Sequence, residues 1–173
     1  MMIYSTHQTT RAVPVRRIVV STKLWLDTWL GLRQRGGGRV ESAAVWGGRR
    51  DVLGEVVEGV YFLDDLPGGL QRSAFHRVSS RATAELFSDL QRDRRLIVAD
   101  IHTHPTGWVG LSGLDQANPI EFRNGLYALV LPSYGIPSPS LAIAGVHEYL
   151  GKGKWRELSQ SQKRTAFVFT PSS

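Results

Sequence analysis

The chain has 173 residues, a hydrophobic fraction of 42%, a formal charge of +6 and a sequence pI near 10.1; that length and apolar content suit one domain able to bury its own core. With no cysteine present, disulfides and thiolate metal sites are excluded, so any transition metal must be held by histidines and carboxylates. No stretch approaches the roughly 18 apolar residues of a membrane span, and the polar start MMIYSTHQTTRAVPVRR lacks the apolar core of a secretion signal, so no membrane contact and a cytoplasmic location are expected.

In chain order, residues 1–16 read as an N-terminal extension and residues 17–173 as the domain. Arg17 to Val20 is a short strand, and Thr22 opens a helix whose Leu24, Trp25, Thr28, Trp29 and Leu32 recur at helical spacing until Gly36, Gly37 and Gly38 stop it. Val40 to Trp46 and Val52 to Leu63 read as two strands of a hairpin, with the turn expected at GGRRD because its glycines suit a tight connection. Asp64 to Gly69 (DDLPGG) is loop. Ser79 or Ser80 then caps a helix carrying Ala82, Leu86 and Leu90 on one stripe and ending near Asp93. Arg95 to His102 is a buried strand running into HTHP, Ser112 caps a short helix, Gly125 to Leu131 is a strong strand, and Tyr134 to Ser140 is loop. Leu141 to Leu150 and Thr165 to Thr170 complete the strands, with Trp155 between them as a core aromatic. Strands and helices interleave without a strict βαβ rhythm, so the fold class expected is α+β: one mixed sheet flanked by helices. No glycine-rich phosphate loop appears, and the basic residues are dispersed in four places (Arg16 and Arg17, Arg49 and Arg50, Arg94 and Arg95, Lys152 and Lys154) rather than gathered into a nucleic-acid groove.

The chemistry concentrates after residue 100. Side chains two apart on an extended strand share a face, so His102 and His104 can aim both imidazoles at one point while Thr103 faces away. Pro105 ends strand pairing there. Asp115, three residues after Ser112, can fold back over the histidines, and three nitrogen and oxygen donors with one open position describe a catalytic zinc site. Each half has a bland reading as well: the histidines as a hydrogen-bonded strand end, Ser112 and Asp115 as a capping box. Asp100 shares a strand face with His102 and suits either orienting an imidazole or a strand-end salt bridge. Trp108 suits either lining a substrate channel or covering the core. Glu55 and Glu58 are rivals for a proton-transfer role but lie in a strand-like run and are expected on a solvent face; His76 and His147 have no partner motif.

The segment HTHPTGWVGLSGLD resembles the signature of the JAMM (JAB/MPN) zinc metallopeptidases: two histidines one residue apart, a proline, then Ser and Asp, with ten residues between His104 and Asp115. Upstream, ESAAVWGG matches the family's glutamate segment, with Glu41 as the glutamate and Gly48 as its glycine, although Ala43 and Ala44 stand where many bacterial members have glycines. The likeness runs from the first helix to GVHEYLG and is nearest to short bacterial members encoded beside ubiquitin-like conjugation enzymes, including those of antiphage operons. It implies the single-domain MPN/JAB (cytidine deaminase-like) fold over residues 17–173, Zn2+ held by His102, His104 and Asp115, Glu41 as general acid-base and Ser112 at the oxyanion. The implied substrate is the bond after the C-terminal tail of a ubiquitin-like protein or its conjugate, with operon-encoded activating or conjugating enzymes as further partners. Three alternatives stay open: release of an amino acid from a sulfur-carrier protein, a noncatalytic scaffold, and a RadC-like nucleic-acid-associated protein.

Overall fold

The computed structural model describes residues 16–71 and 77–171; His76 and all of the expected N-terminal extension except Arg16 lie outside them. The described chain forms β1 (Ile18–Ser21), α1 (Thr22–Gly36), β2 (Ala43–Asp51), β3 (Gly54–Phe62), β4 (Leu70–Gln71), β5 (Arg77–Val78), α2 (Ser80–Arg92), β6 (Leu96–Thr103), α3 (Gly113–Ala117), β7 (Tyr127–Leu131), β8 (Gly145–Gly151), β9 (Lys154–Glu157), α4 (Gln160–Ala166) and β10 (Phe167–Thr170). Eight strands make one mixed sheet in the order β10-β1-β3-β2-β6-β7-β8-β9, and β4 pairs with β5 separately. The pairs β1 with β10, β1 with β3 and β6 with β7 are parallel; the other pairs of the large sheet are antiparallel. The expected α+β class with a mixed sheet and flanking helices is what the chain adopts.

Period-two alternation divides the core between the two sheet faces. Along β2, Ala44 and Trp46 join the cluster of Trp25, Trp29 and Leu32 from α1, whereas Val45 joins Leu86 and Leu90 from α2. Two tryptophans in the first cluster satisfy their indole N–H groups while buried: Trp46 Nε1 donates to Thr28 Oγ1 at 2.8 Å and Trp29 Nε1 to the Gly135 carbonyl at 2.8 Å. The helix ends follow sequence chemistry. Ser21 caps α1 and Gly37, with φ of 56°, closes it; Ser79 caps α2, which ends at Asp93.

Four expectations need correction. The β2–β3 turn sits at Val52 and Leu53, not at GGRRD: Gly47 and Gly48 lie inside β2, where the pairing register shifts. A Cβ on Gly48 would overlap the Val56 carbonyl oxygen, so these glycines serve strand packing rather than turning. The Leu141–Leu150 strand begins only at Gly145. After Trp155 the chain adds α4, which takes Thr165 and Ala166 out of the expected Thr165–Thr170 strand and is opened by a capping box in which Ser159 and Gln162 bond each other's backbone. Arg16, assigned to the extension, belongs with the fold, since its guanidinium donates to the Gly125 carbonyl at 2.8 Å and its own carbonyl accepts from Tyr127 Oη at 2.9 Å.

Candidate metal centre

His102 lies on β6, and His104 lies just past its end, where the strand's own pairing has stopped. The backbone of His104 is nevertheless fixed on both sides: its N–H donates to the Leu131 carbonyl at 2.9 Å and its carbonyl accepts from Tyr134 N–H at 2.7 Å. The two imidazoles therefore keep the shared face that strand geometry assigns them, with Nε2 atoms 3.2 Å apart. Asp115 sits in the first turn of α3 and reaches both rings through Oδ2, at 3.7 Å from His102 Nε2 and 3.5 Å from His104 Nε2.

Local hydrogen bonds select which atoms face inward. The Trp108 carbonyl can only accept, so His104 Nδ1 carries a proton toward it at 3.2 Å and Nε2 is left with its lone pair. Ser112 N–H donates to Asp115 Oδ2 at 2.7 Å, while Asp115 N–H donates to Ser112 Oγ at 3.2 Å. This is the capping box expected as the bland reading. The same box holds Asp115 against the histidines, so the two readings of Ser112 and Asp115 coexist.

The donor set fits a metal. Tetrahedral zinc with ligand bonds of about 2.0–2.1 Å separates its ligand atoms by about 3.3–3.4 Å, and the three atoms here are separated by 3.2, 3.5 and 3.7 Å. Among the described residues, His102, His104 and Asp115 form a group able to hold a metal ion. The same contacts set the electrostatics of the metal-free group. Burial alone would raise the Asp115 carboxyl, but hydrogen bonds with His102, His104 and Ser112 outweigh it and hold the group well below the usual carboxylate range. His102 is raised above the ordinary histidine value: burial opposes this, and the hydrogen bond and charge of Asp115, with the charges of Asp100 and Glu41, prevail.

Glu41 is brought to the centre by a contact across strands. Ser42 N–H donates to Thr103 Oγ1 at 2.9 Å, and Thr103 N–H donates to the Ser42 carbonyl at 3.0 Å. That double tie fixes the residue after Glu41 to the residue between the two histidines. Asp64 reinforces it, accepting from Ser42 Oγ at 2.6 Å and from Ala43 N–H at 3.2 Å. Glu41 itself lies just before β2 rather than on it and lines a cavity of about 440 Å³ together with His102 and Asp115.

No protein-family model matches the chain. Two solved structures resemble it. One, a solution structure of a protein from Desulfitobacterium hafniense, is 19% identical with a TM-score of 0.60, covering 90% of this chain and 94% of that one. The other, from Salinibacter ruber, is 10% identical with a TM-score of 0.54, covering 81% of this chain and 88% of that one. The likeness in both is one of fold. Among the described residues no helix is long and apolar enough to cross a membrane.

The remaining candidates separate cleanly. Glu55, expected on a solvent face, is 2% exposed and pairs with Arg16, Arg50 and Arg123. Glu58 pairs with Arg49 and Arg95, and neither glutamate lines the cavity. Asp100 does line it; burial raises its carboxyl to about 6, partly offset by His102 and by the Ile120 backbone N–H. Trp108 is 55% exposed and stacks on His104 with ring centroids 5.1 Å apart. His147 is buried and donates from Nε2 to the Val109 carbonyl at 2.8 Å, steadying the loop that carries Trp108. Sequence reading did not single out Ser42 or Asp64 and saw in Thr103 only a residue facing away, because their roles arise from pairings between distant segments.

Proposed function

We propose that this chain is a zinc-dependent peptidase of the JAMM type, with the MPN/JAB (cytidine deaminase-like) fold, that hydrolyses the amide or isopeptide bond after the C-terminal tail of a ubiquitin-like protein or its conjugate. The observation that carries this reading is the meeting of three donor atoms, 3.2 to 3.7 Å apart, in a cavity that Glu41 also lines. When bound, zinc would supply a Lewis acid for the scissile carbonyl and for the attacking water.

The chain's own residues divide the remaining work. Glu41 takes the proton of the attacking water and returns it to the departing amine, as a general acid-base in the same cavity must. Ser112 Oγ accepts the Asp115 N–H, and its hydroxyl, held beside the ligands, would donate toward an oxygen gaining negative charge. The Trp108 carbonyl keeps His104 in one tautomer, and Thr103 keeps Glu41 beside the ligands. The operon-encoded activating or conjugating enzymes implied by the resemblance would supply the conjugates.

The test has two parts. Metal analysis of purified protein should find about one zinc per chain, retained in Glu41→Ala and lost in His104→Ala. The wild type should release a reporter fused to the C-terminus of a ubiquitin-like protein, and Glu41→Ala should not. A zinc-loaded wild type that cleaves no amide bond would end the proposal, and an active Glu41→Ala would end the proton assignment.

A further inference from the structure

The cavity reaches past the metal ligands along β6, and its lining includes a carboxylate, Asp100, that the proposed chemistry does not use. Asp100 lies two residues before His102 on the same strand face, which places it about 6–7 Å from that ligand. Its neighbour on β7 is Ala128, a side chain small enough to leave space above the sheet. Leu63, Val78 and Ile120 give this part of the cavity apolar walls, and Ser80 and Thr83 from α2 also line it.

Asp100 is chemically unbalanced there. Beyond the charge of His102 and the backbone N–H of Ile120 it has no cationic partner in the cavity, since among the described lining residues there is no lysine or arginine. That is notable in a chain of net charge +6 whose other largely buried acids are matched: Glu55 has three arginines and Glu148 has Arg156. A carboxylate sheltered from water and facing an open cavity favours a cation arriving from outside. A lysine's four-carbon stem spans about 6 Å, the distance between same-face neighbours on a strand, and such stems lie well along apolar walls.

We propose that the part of this cavity beside Asp100 is a subsite for a lysine or arginine side chain of the substrate, with the stem against Leu63, Val78 and Ile120 and the cationic head on the Asp100 carboxylate. This assignment rests on the peptidase reading for its substrate but not for its binding chemistry. The residue entering the subsite neighbours the scissile bond, since an extended peptide at the metal centre would direct one side chain along β6.

The probes are Nα-acetyl-lysine amide, Nα-acetyl-arginine amide and the uncharged Nα-acetyl-norleucine amide, titrated into the zinc-loaded full chain while backbone amide resonances are followed. The cationic probes should shift the Ile120 and Ala128 amides saturably and bind about tenfold or more tightly than norleucine, the value of a charge-assisted contact. Asp100→Asn should erase that difference while keeping its zinc. Norleucine binding as tightly as lysine, or an unchanged preference in Asp100→Asn, overturns the subsite. Should Asp100→Asn disturb the amide dispersion, Thr83→Arg, which brings a rival cation into the cavity, must produce the same loss. In parallel, a mixed peptide library should yield cleavage windows with Lys or Arg at one fixed position. Cleavage without that preference removes the subsite and leaves the peptidase. Lysine binding at Asp100 with no cleavage removes the peptidase and leaves the subsite.

Discussion

Two polar clusters lie toward opposite ends of β6 and are built on opposite principles. Near its start, Glu55 is buried and surrounded by Arg16, Arg50 and Arg123; Arg123 also donates to the Ile97 carbonyl on β6 and pairs with Glu121. At its other end, His102, His104 and Asp115 turn three electron-pair donors toward one point. In the first cluster cations from the chain close on the acid, so the charge is answered internally and the segments they come from are tied together. In the second the acceptors converge and the chain brings no lysine or arginine among the described residues lining their cavity. Burial and polarity are common to both. What distinguishes a binding centre is which partner the chain withholds.

The largest effect should come from breaking the internally answered cluster. Glu55→Ala leaves Arg16 and Arg123 facing each other in a largely buried place beside the more exposed Arg50, and loss of about 3–5 kcal/mol of unfolding free energy is expected by urea denaturation. Asp115→Ala should leave the metal-free fold within about 1–2 kcal/mol of wild type, the cost of a helix cap and its contacts, while abolishing zinc retention. Equal destabilisation by the two changes would erase the contrast between them.

Next in size, Ser112→Ala should lower kcat about 100-fold with zinc retained, through loss of one donor to the developing oxyanion. If kcat holds while only stability falls, Ser112 is a cap and nothing more.

Acid should act on the two clusters differently. Because His102 is raised above the ordinary histidine value, protons compete with metal from a pH above about 6.5 downward, and affinity should fall about tenfold per pH unit below the raised value. The sign for folding is reversed. A histidine with a raised folded-state pKa stabilises the metal-free fold below its unfolded value and loses that contribution as pH rises through the folded one. Mild acid should therefore strip zinc without unfolding the chain, which parallel metal-release and circular-dichroism titrations would check.

The smallest effect concerns the tie between Ser42 and Thr103. Thr103→Val keeps the shape but leaves the Ser42 N–H without its side-chain acceptor, at a cost of about 1–3 kcal/mol. Activity should drop through kcat rather than KM, because Glu41 shifts while the ligands stay; an unchanged kcat would separate Glu41's position from this tie.

How much of this was legible beforehand follows from the range of each interaction. The helix stripes of α1 and α2, their serine caps, and the same-face placement of His102 and His104 are set within a few residues and were readable. So was Asp115, because its geometry is dictated by a four-residue cap with Ser112. Glu41 was reachable only through a family pattern: what carries it to the centre is the Ser42–Thr103 tie, spanning 61 positions. Gly47 and Gly48 misled for a related reason. Glycine pairs signal turns locally, and only the approach of Val56 from the neighbouring strand shows that they are needed for packing. Glu55 looked like a surface residue because its three cations come from residues 16, 50 and 123. The α4 helix lacks a long apolar stripe, and its Ser159-Gln162 box was the one local sign of it.

The stacking of Trp108 on His104 has an optical consequence. Of the five tryptophans, Trp25, Trp29 and Trp46 are buried, Trp155 is partly covered, and Trp108 alone is exposed. Its emission should lie at the red edge of the chain's fluorescence, and whatever occupies the imidazole beneath it, ion or proton, changes the brightness of that edge. The molecule thus carries a built-in indicator of its own loading, readable in dilute solution with no dye attached.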